Sequence, residues 1–296
     1  MPAFQVLKGV RVLSLALNLP GPAALLRCRR MGATCTKLEP AGGDPMARYN
    51  AEAYATLHEG VTVHVADLKT PEGQKTLHRE LAKTDVLLTS YRPSALTKLG
   101  LRWKDLHTRY PSLCQVAIVG APGEGAEEPG HDLTYLAARG LVTGLELPAT
   151  LYADMGGSLM ASEAVLQAVL HRSERYTGSG DTHPVGKFIE VALSDAAAWA
   201  ALPREWGLTR PEGAVGGAHA GYRVYPCKDG RVAVAALEPH FAQSLCAAAG
   251  VSVADMRAML EPATREAIGA FLATQTRTQL DALAVEKDIP LHTMAG

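Results

Sequence analysis

Val10-Arg11-Val12-Leu13-Ser14-Leu15, then Gly21-Pro22, a run from Ala23 to Met31, Gly32, and Ala33-Thr34-Cys35-Thr36-Lys37-Leu38-Glu39 form the stretch that decides the fold. Its first six residues alternate weakly and read as a strand. Pro22 falls at the first turn of a helix, where its missing N–H costs nothing, and Gly32 supplies a left-handed stop. The second apolar run is again a short strand. Strand, helix and strand in so short a span imply a parallel pair, because parallel strands need a crossover of about this length.

The same alternation continues outward. Asn50 to His58 reads as a connection, and Val61-Thr62-Val63-His64-Val65 is a β run. Asp67-Leu68-Lys69-Thr70-Pro71-Glu72-Gly73 caps a helix ending near Ala82. Asp85 to Ser90 is a buried strand, and Tyr91-Arg92-Pro93 leaves its carboxyl end, where open α/β sheets bind ligands. Leu113 to Gly120 gives a further strand, and residues 121–130 form a loop of Pro, Gly and Glu. Leu159 to His171 has core-helix spacing, Tyr176 to Gly186 is a polar surface loop, Phe188 to Leu193 is a strand, and Asp195 begins an alanine-rich helix. Residues 207–221, with five glycines, read as a linker. Tyr222 to Tyr225 and Arg231 to Ala236 flank Lys228-Asp229-Gly230, a hairpin signal. Two helices, Pro239–Ala249 and Arg265–Glu286, complete a smaller α+β unit. The expectation is an α/β protein: a large domain over 1–206 with a parallel sheet, a linker over 207–221, and a small domain over 222–296.

Composition sets limits on partners. The 296 residues are 47% hydrophobic and carry 29 Lys+Arg against 30 Asp+Glu, a net charge of −1. Such a balance gives no bulk field for nucleic acid or an acidic membrane, so an anionic ligand must be held by a few placed basic groups. Five cysteines (28, 35, 114, 227, 246) lack C-x-x-C spacing, and an odd count suits reduced thiols packed as small hydrophobes. The N-terminus has neither a basic start nor a long apolar run, and no apolar stretch approaches the length of a membrane span. A soluble, cytoplasmic protein without a permanently bound cofactor or metal is expected.

Chemistry concentrates in Gly130-His131-Asp132-Leu133-Thr134-Tyr135 and Ala153-Asp154-Met155-Gly156-Gly157-Ser158, which read as a loop and a glycine-rich helix start. A histidine and a carboxylate placed on opposite sides of one carbon can move a proton from one face to the other. Taken alone, His131 also reads as a loop histidine, Asp154 as a helix N-cap and Glu238 as a surface carboxylate.

Further pieces give these residues a context. Leu7-Lys8-Gly9-Val10-Arg11-Val12-Leu13, Gly21-Pro22, Gly32-Ala33, Lys37-Leu38-Glu39-Pro40 with Gly43-Asp44, Ala66-Asp67-Leu68-Lys69 and Tyr91-Arg92-Pro93 occur in order, ending in Leu99-Gly100-Leu101. In that order and spacing the chain resembles the class III CoA-transferase family (CaiB/BaiF type). Gly130-His131-Asp132, Ala153 to Gly157 and Glu238-Pro239-His240-Phe241 are similar to its 2-methylacyl-CoA racemase branch.

The resemblance implies a Rossmann-like large domain holding coenzyme A, a small domain closing over the acyl group, and an interlocked homodimer. The substrate is then an acyl-CoA thioester. His131 and Asp154 exchange its α-proton, a backbone N–H near Asp132 supports the thioester oxygen, and Glu238 orients the imidazole. Arg92, Tyr91, Lys69, Arg48, Lys37 and Lys98 are the candidates for the CoA handle. Met155, Leu159, Met160 and Leu237 read equally as acyl wall and as core packing. In the transferase alternative Asp154 is a nucleophile that forms an acyl anhydride and passes CoA to a second carboxylate. A family member that keeps the fold without catalysis is a third reading.

Overall fold

The computed structural model describes residues 4–178, 185–252 and 255–296. The chain divides into two compact units, Met1–Ala201 and Leu202–Gly296. In the first, β1 (Arg11–Ser14), α1 (Pro20–Arg30), β2 (Thr34–Glu39), α2 (Pro45–Tyr49), α3 (Ala51–Leu57), β3 (Thr62–Val65), α4 (Pro71–Leu81) and β4 (Val86–Thr89) follow in order. Then come α5 (Pro93–Lys98), α6 (Trp103–Arg109), β5 (Cys114–Val119), α7 (Asp132–Ala138), α8 (Tyr152–Gly178), β6 (Phe188–Ala192) and α9 (Leu193–Glu205), whose residues from 202 on belong to the second unit.

The six strands form one sheet in the order β3-β2-β1-β4-β5-β6, every pairing parallel. This is the Rossmann-type order, in which the winding reverses between β1 and β4. Burial explains the placement. Every residue of β4 (Val-Leu-Leu-Thr) and β5 (Cys-Gln-Val-Ala-Ile-Val) is buried, as central parallel strands covered on both faces require. β3 is largely exposed, with Val65 at 65%, and closes one edge. Leu25, Leu88, Val116 and Val165 share the core between the sheet and helices α1 and α8. Leu13, Leu38, Leu77, Leu87 and Leu106 fill the opposite core, toward α4 and α6.

Gly32 adopts φ +100° just past α1, the expected left-handed stop. Gly21 acts by close approach, since a Cβ there would stand 2.2 Å from the Ala16 side chain. All five cysteines are free and buried, and burial pushes the Cys28 and Cys35 thiols up to about 12, so they serve as packing groups.

Several local expectations are corrected. The connection over 50–58 is helical, because Asp44 and Asn50 each accept a backbone N–H at the start of α2 and α3. Within the capping stretch over 67–73, Thr70 is the residue that caps α4. The loop over 121–130 contains a 3₁₀ turn, Gly123–Glu127. The core helix begins at Tyr152 rather than near Leu159. The loop expected over 176–186 lies largely outside the described residues.

The second unit holds β7 (Tyr222–Cys227), β8 (Gly230–Ala235), α10 (Pro239–Ala248), α11 (Pro262–Thr274), α12 (Arg277–Lys287) and β9 (Leu291–Met294). The three strands form an antiparallel sheet in the order β7-β8-β9, and the hairpin closes at Cys227↔Gly230 as its turn sequence predicts. Val232, Val234, Leu245, Ile268, Leu272 and Leu280 form its core. The single helix expected over 265–286 is two. Thr276 accepts from Gln279 N–H while the Gln279 carboxamide accepts from Thr276 N–H, a reciprocal cap that starts a new helix. Among the described residues no helix is long and apolar enough to cross a membrane.

Candidate functional site

In an open sheet of this order a crevice lies at the carboxyl ends of the two strands where the winding reverses. Here those ends are Leu17 to Pro20 after β1 and Ser90 to Arg92 after β4. They line a cavity of about 520 Å³ together with His131, Tyr135 and Asp154. A second cavity of about 850 Å³ is lined by Glu39, Asp67, Lys69, Lys98 and Leu99, and it shares Leu17 and Tyr91 with the first.

The stretch around His131 is a helix start rather than a loop, and the stretch around Asp154 is the helix start its glycines suggest. His131 is the N-cap residue of α7, exposed, and its backbone is tied by the Thr134 hydroxyl, which accepts from His131 N–H at 3.0 Å and donates to His131 C=O at 2.7 Å. Asp132 is 5% exposed, and its Oδ1 accepts from Ala153 N–H at 2.7 Å and Asp154 N–H at 3.0 Å. It therefore satisfies the open donors of α8 from a neighbouring helix. Asp154 is the third residue of α8, not its N-cap. Gly157 follows because a Cβ there would stand 2.3 Å from the Leu193 side chain, so the pair of glycines lets α9 lie against this first turn.

Burial above all, and then the Asp132 carboxylate, pushes the Asp154 carboxyl up to about 6, while His131 pulls it down. Asp132 thus has two effects on one neighbour: it anchors the Asp154 backbone and makes its charge harder to hold. Asp132→Asn keeps one acceptor oxygen and removes the charge. Its expected result is an acid limb of the pH–activity profile displaced to lower pH, with about 1 kcal/mol less stability from the weakened cap. An unmoved limb in a folded variant would refute the coupling.

The proposed CoA contacts divide into three groups. Lys69 and Lys98 are exposed and line the second cavity, Arg92 is exposed on the first, and the half-buried Tyr91 borders both. Arg48, exposed at the end of α2, lines neither cavity. Lys37 is a correction. It is fully buried, and its Nζ donates to Asp44 Oδ2 at 2.5 Å and His58 Nε2 at 2.8 Å and lies 3.0 Å from Glu39 Oε1. With all three ammonium donors engaged inside the protein, it has none to offer a phosphate. Glu39, Asp44 and His58 are also, among the described residues, the one group arranged to share a metal ion, but the Lys37 ammonium already stands among their ligand atoms. The donor set does not fit a metal while that lysine is present.

The acyl-wall expectation is likewise revised. Met155 and Leu159 are 42% and 50% exposed and do not line the first cavity; Leu151, Leu193, Met46 and Val119 do. Glu238 is the exposed N-cap residue of α10 in the second unit.

Three further groups were not legible as site residues. The Tyr135 hydroxyl occupies space that a Cβ on Gly120 or Gly130 would fill, at 2.3 and 2.5 Å, and burial followed by Asp154 raises its pKa. Its spacing four residues after His131 is the one signal, and it emerges only once α7 is recognised as a helix. Asn18 holds φ +64°, with its N–H donated to Asp44 Oδ1 at 3.0 Å, so the buried Lys37 cluster fixes the loop that walls the cavity. Glu128 lines the cavity from the loop before α7 without any sequence mark.

A six-stranded parallel sheet of Rossmann-type order, with Asp154 on the wall of the cavity at its switch point, defines the class of the protein as an α/β fold. More particularly, the chain belongs to CoA-transferase family III, which it matches over residues 7–295. It is 30% identical over 263 residues to a CaiB/baiF CoA-transferase family protein of Caenorhabditis elegans, covering 82% of this chain and 72% of that protein. It is 37% identical over 154 residues to the cinnamoyl-CoA:phenyllactate CoA-transferase of Clostridium sporogenes, covering 47% and 37%. With human alpha-methylacyl-CoA racemase it shares 28% identity over 259 residues, covering 83% and 65%. The solved structure of a Mycobacterium tuberculosis protein, Rv3272, superposes with a TM-score of 0.79 at 25% identity, covering 96% of this chain and 83% of that one. The racemase branch expected from the histidine motif is therefore not singled out: transferases and a racemase resemble this chain alike.

Proposed function

We propose that the protein binds an acyl-CoA thioester, with the CoA handle along the second cavity near Lys69 and Lys98 and the acyl carbon beside Asp154, and that it moves CoA between carboxylic acids. The observation that carries this reading is Asp154 itself, half-buried in the cavity wall, where burial raises its carboxyl to about 6. A carboxylate deprived of water is a stronger nucleophile than a solvated one. Its oxygen attacks the thioester carbonyl carbon, the C–O bond forms, the C–S bond breaks, and CoA leaves as a thiolate. That thiolate then attacks the Asp154 carbonyl of the anhydride and releases the donor acid as a carboxylate. An incoming carboxylate attacks the resulting Asp154 thioester and frees the thiolate again. Thiolate attack on the acceptor's carbonyl then gives the new acyl-CoA and restores Asp154. Relatives named as transferases, and the family's own name, support this order of preference.

A second reading, epimerisation of a 2-methylacyl-CoA, is favoured by one observation: His131 lines the same cavity as Asp154. In it the two residues exchange the α-proton between faces. An acyl-CoA incubated in D₂O separates the two. The expected result is CoA exchange that requires an added carboxylic acid. Deuterium entering the α position with no acceptor present would overturn transfer in favour of epimerisation.

A further inference from the structure

The first cavity carries a charge pattern that bears on which acyl groups it accepts. Besides His131, its basic lining group is Arg92. Against these stand two carboxylates, Asp154 and Glu128. The Glu127 carboxylate accepts from Ser94 N–H at 2.6 Å and Ser94 Oγ at 2.8 Å, which fixes it beside the start of α5. The rest of the wall is largely apolar, with Met46, Ile118, Val119, Leu151 and Leu193. A second carboxylate on the acyl chain would meet one guanidinium, Arg92, in this space and would face two carboxylates, Glu128 and Asp154. Like charges brought together in a partly desolvated site are costly, whereas an alkyl or aromatic end gains from the apolar wall.

We infer that the site takes acyl groups of apolar monocarboxylic acids and rejects those of dicarboxylic acids, with Glu128 as the residue that sets the discrimination. This inference rests on the acyl-CoA reading above, and holds for transfer and epimerisation alike. Glu128 acts here by repulsion, a specificity device that leaves the preferred ligand untouched.

Butyryl-CoA and succinyl-CoA provide the test, since their four-carbon chains differ only in a terminal methyl against a terminal carboxylate. Apparent dissociation constants are read from thermal-shift titrations of the purified full chain, with free CoA measuring the shared handle. Butyryl-CoA is expected to bind about tenfold more tightly than succinyl-CoA. Glu128→Lys is expected to close that gap, and Glu128→Gln to narrow it. Equal or tighter binding of succinyl-CoA by the parent protein overturns the inference while leaving the acyl-CoA reading in place. A gap unchanged in Glu128→Lys overturns the role of Glu128. If neither ester nor CoA shifts the melting temperature, the acyl-CoA reading fails and the inference with it.

Discussion

Asp154→Asn is expected to lose activity roughly 10³- to 10⁴-fold and at the same time to melt at a higher temperature than the parent. The two effects have one origin. A carboxyl whose folded pKa is about 6 binds a proton more tightly in the native chain than in the unfolded one, where the value is near 3.8. Between those limits the native state holds more protons, so stability falls as pH rises through the window and the cost is fully present above about 6. The shift corresponds to about 3 kcal/mol, and because Asp154 is only half-buried beside an open cavity, water reduces that toward 1–2 kcal/mol. Asparagine removes the cost along with the nucleophile. Activity of the parent should run the opposite way, rising with pH through about 6 as the carboxyl ionises. Thermal melts at pH 4 and pH 7.5, set beside a pH–activity profile, check both. A variant that is inactive and also less stable at pH 7.5 would mean that Asp154 serves the fold and not the chemistry.

Lys37→Met is expected to destabilise the chain by about 3–5 kcal/mol, because it strands two buried carboxylates. Asp44 is 1% exposed and Glu39 5%, and the lysine ammonium between them is their counter-charge. The loss should propagate to the cavity. Asp44 Oδ1 also receives the N–H groups of Asn18 and Met46, both from residues that line it. Urea titration reads the stability loss. Adding Glu39→Gln and Asp44→Asn to the same chain should recover part of it by removing the stranded charges, since the asparagine oxygen can still accept from Asn18. A Lys37→Met protein with the parent's urea midpoint but a weakened affinity for CoA would instead restore Lys37 to the phosphate contacts.

Lys37 also illustrates what a sequence does and does not disclose. Lys37-Leu38-Glu39-Pro40 with Gly43-Asp44 was readable as a recurring pattern, and a lysine near a strand end invites a phosphate. Its actual partners, Asp44 and His58, come from a loop and from the end of a helix in a stretch that looked like a bare connection. Long-range pairing of that kind has no periodicity to betray it. The parallel sheet, by contrast, was legible because β4 and β5 are mostly apolar runs, broken only by Thr89 and Gln115, and α1 carries its own start and stop signals. The strand order was not, since nothing in β1 states whether β4 or β2 lies on a given side. In the site, His131 and Asp154 stood out by residue type and motif. Glu128 and Asn18 did not, because what matters in them is a position on a cavity wall and a backbone angle.

The border between the two cavities has a consequence of its own. Leu17 and Tyr91 are common to both, so a ligand filling both would have its handle on one side of that threshold and its reacting end on the other. On the reading proposed above, the part of the ligand that never changes and the part that varies meet different walls. Substitutions around Val119 or Leu151 can then retune the choice of acid while the grip on coenzyme stays as it was, and a lineage can trade one substrate for another without ever passing through a form that has lost its hold.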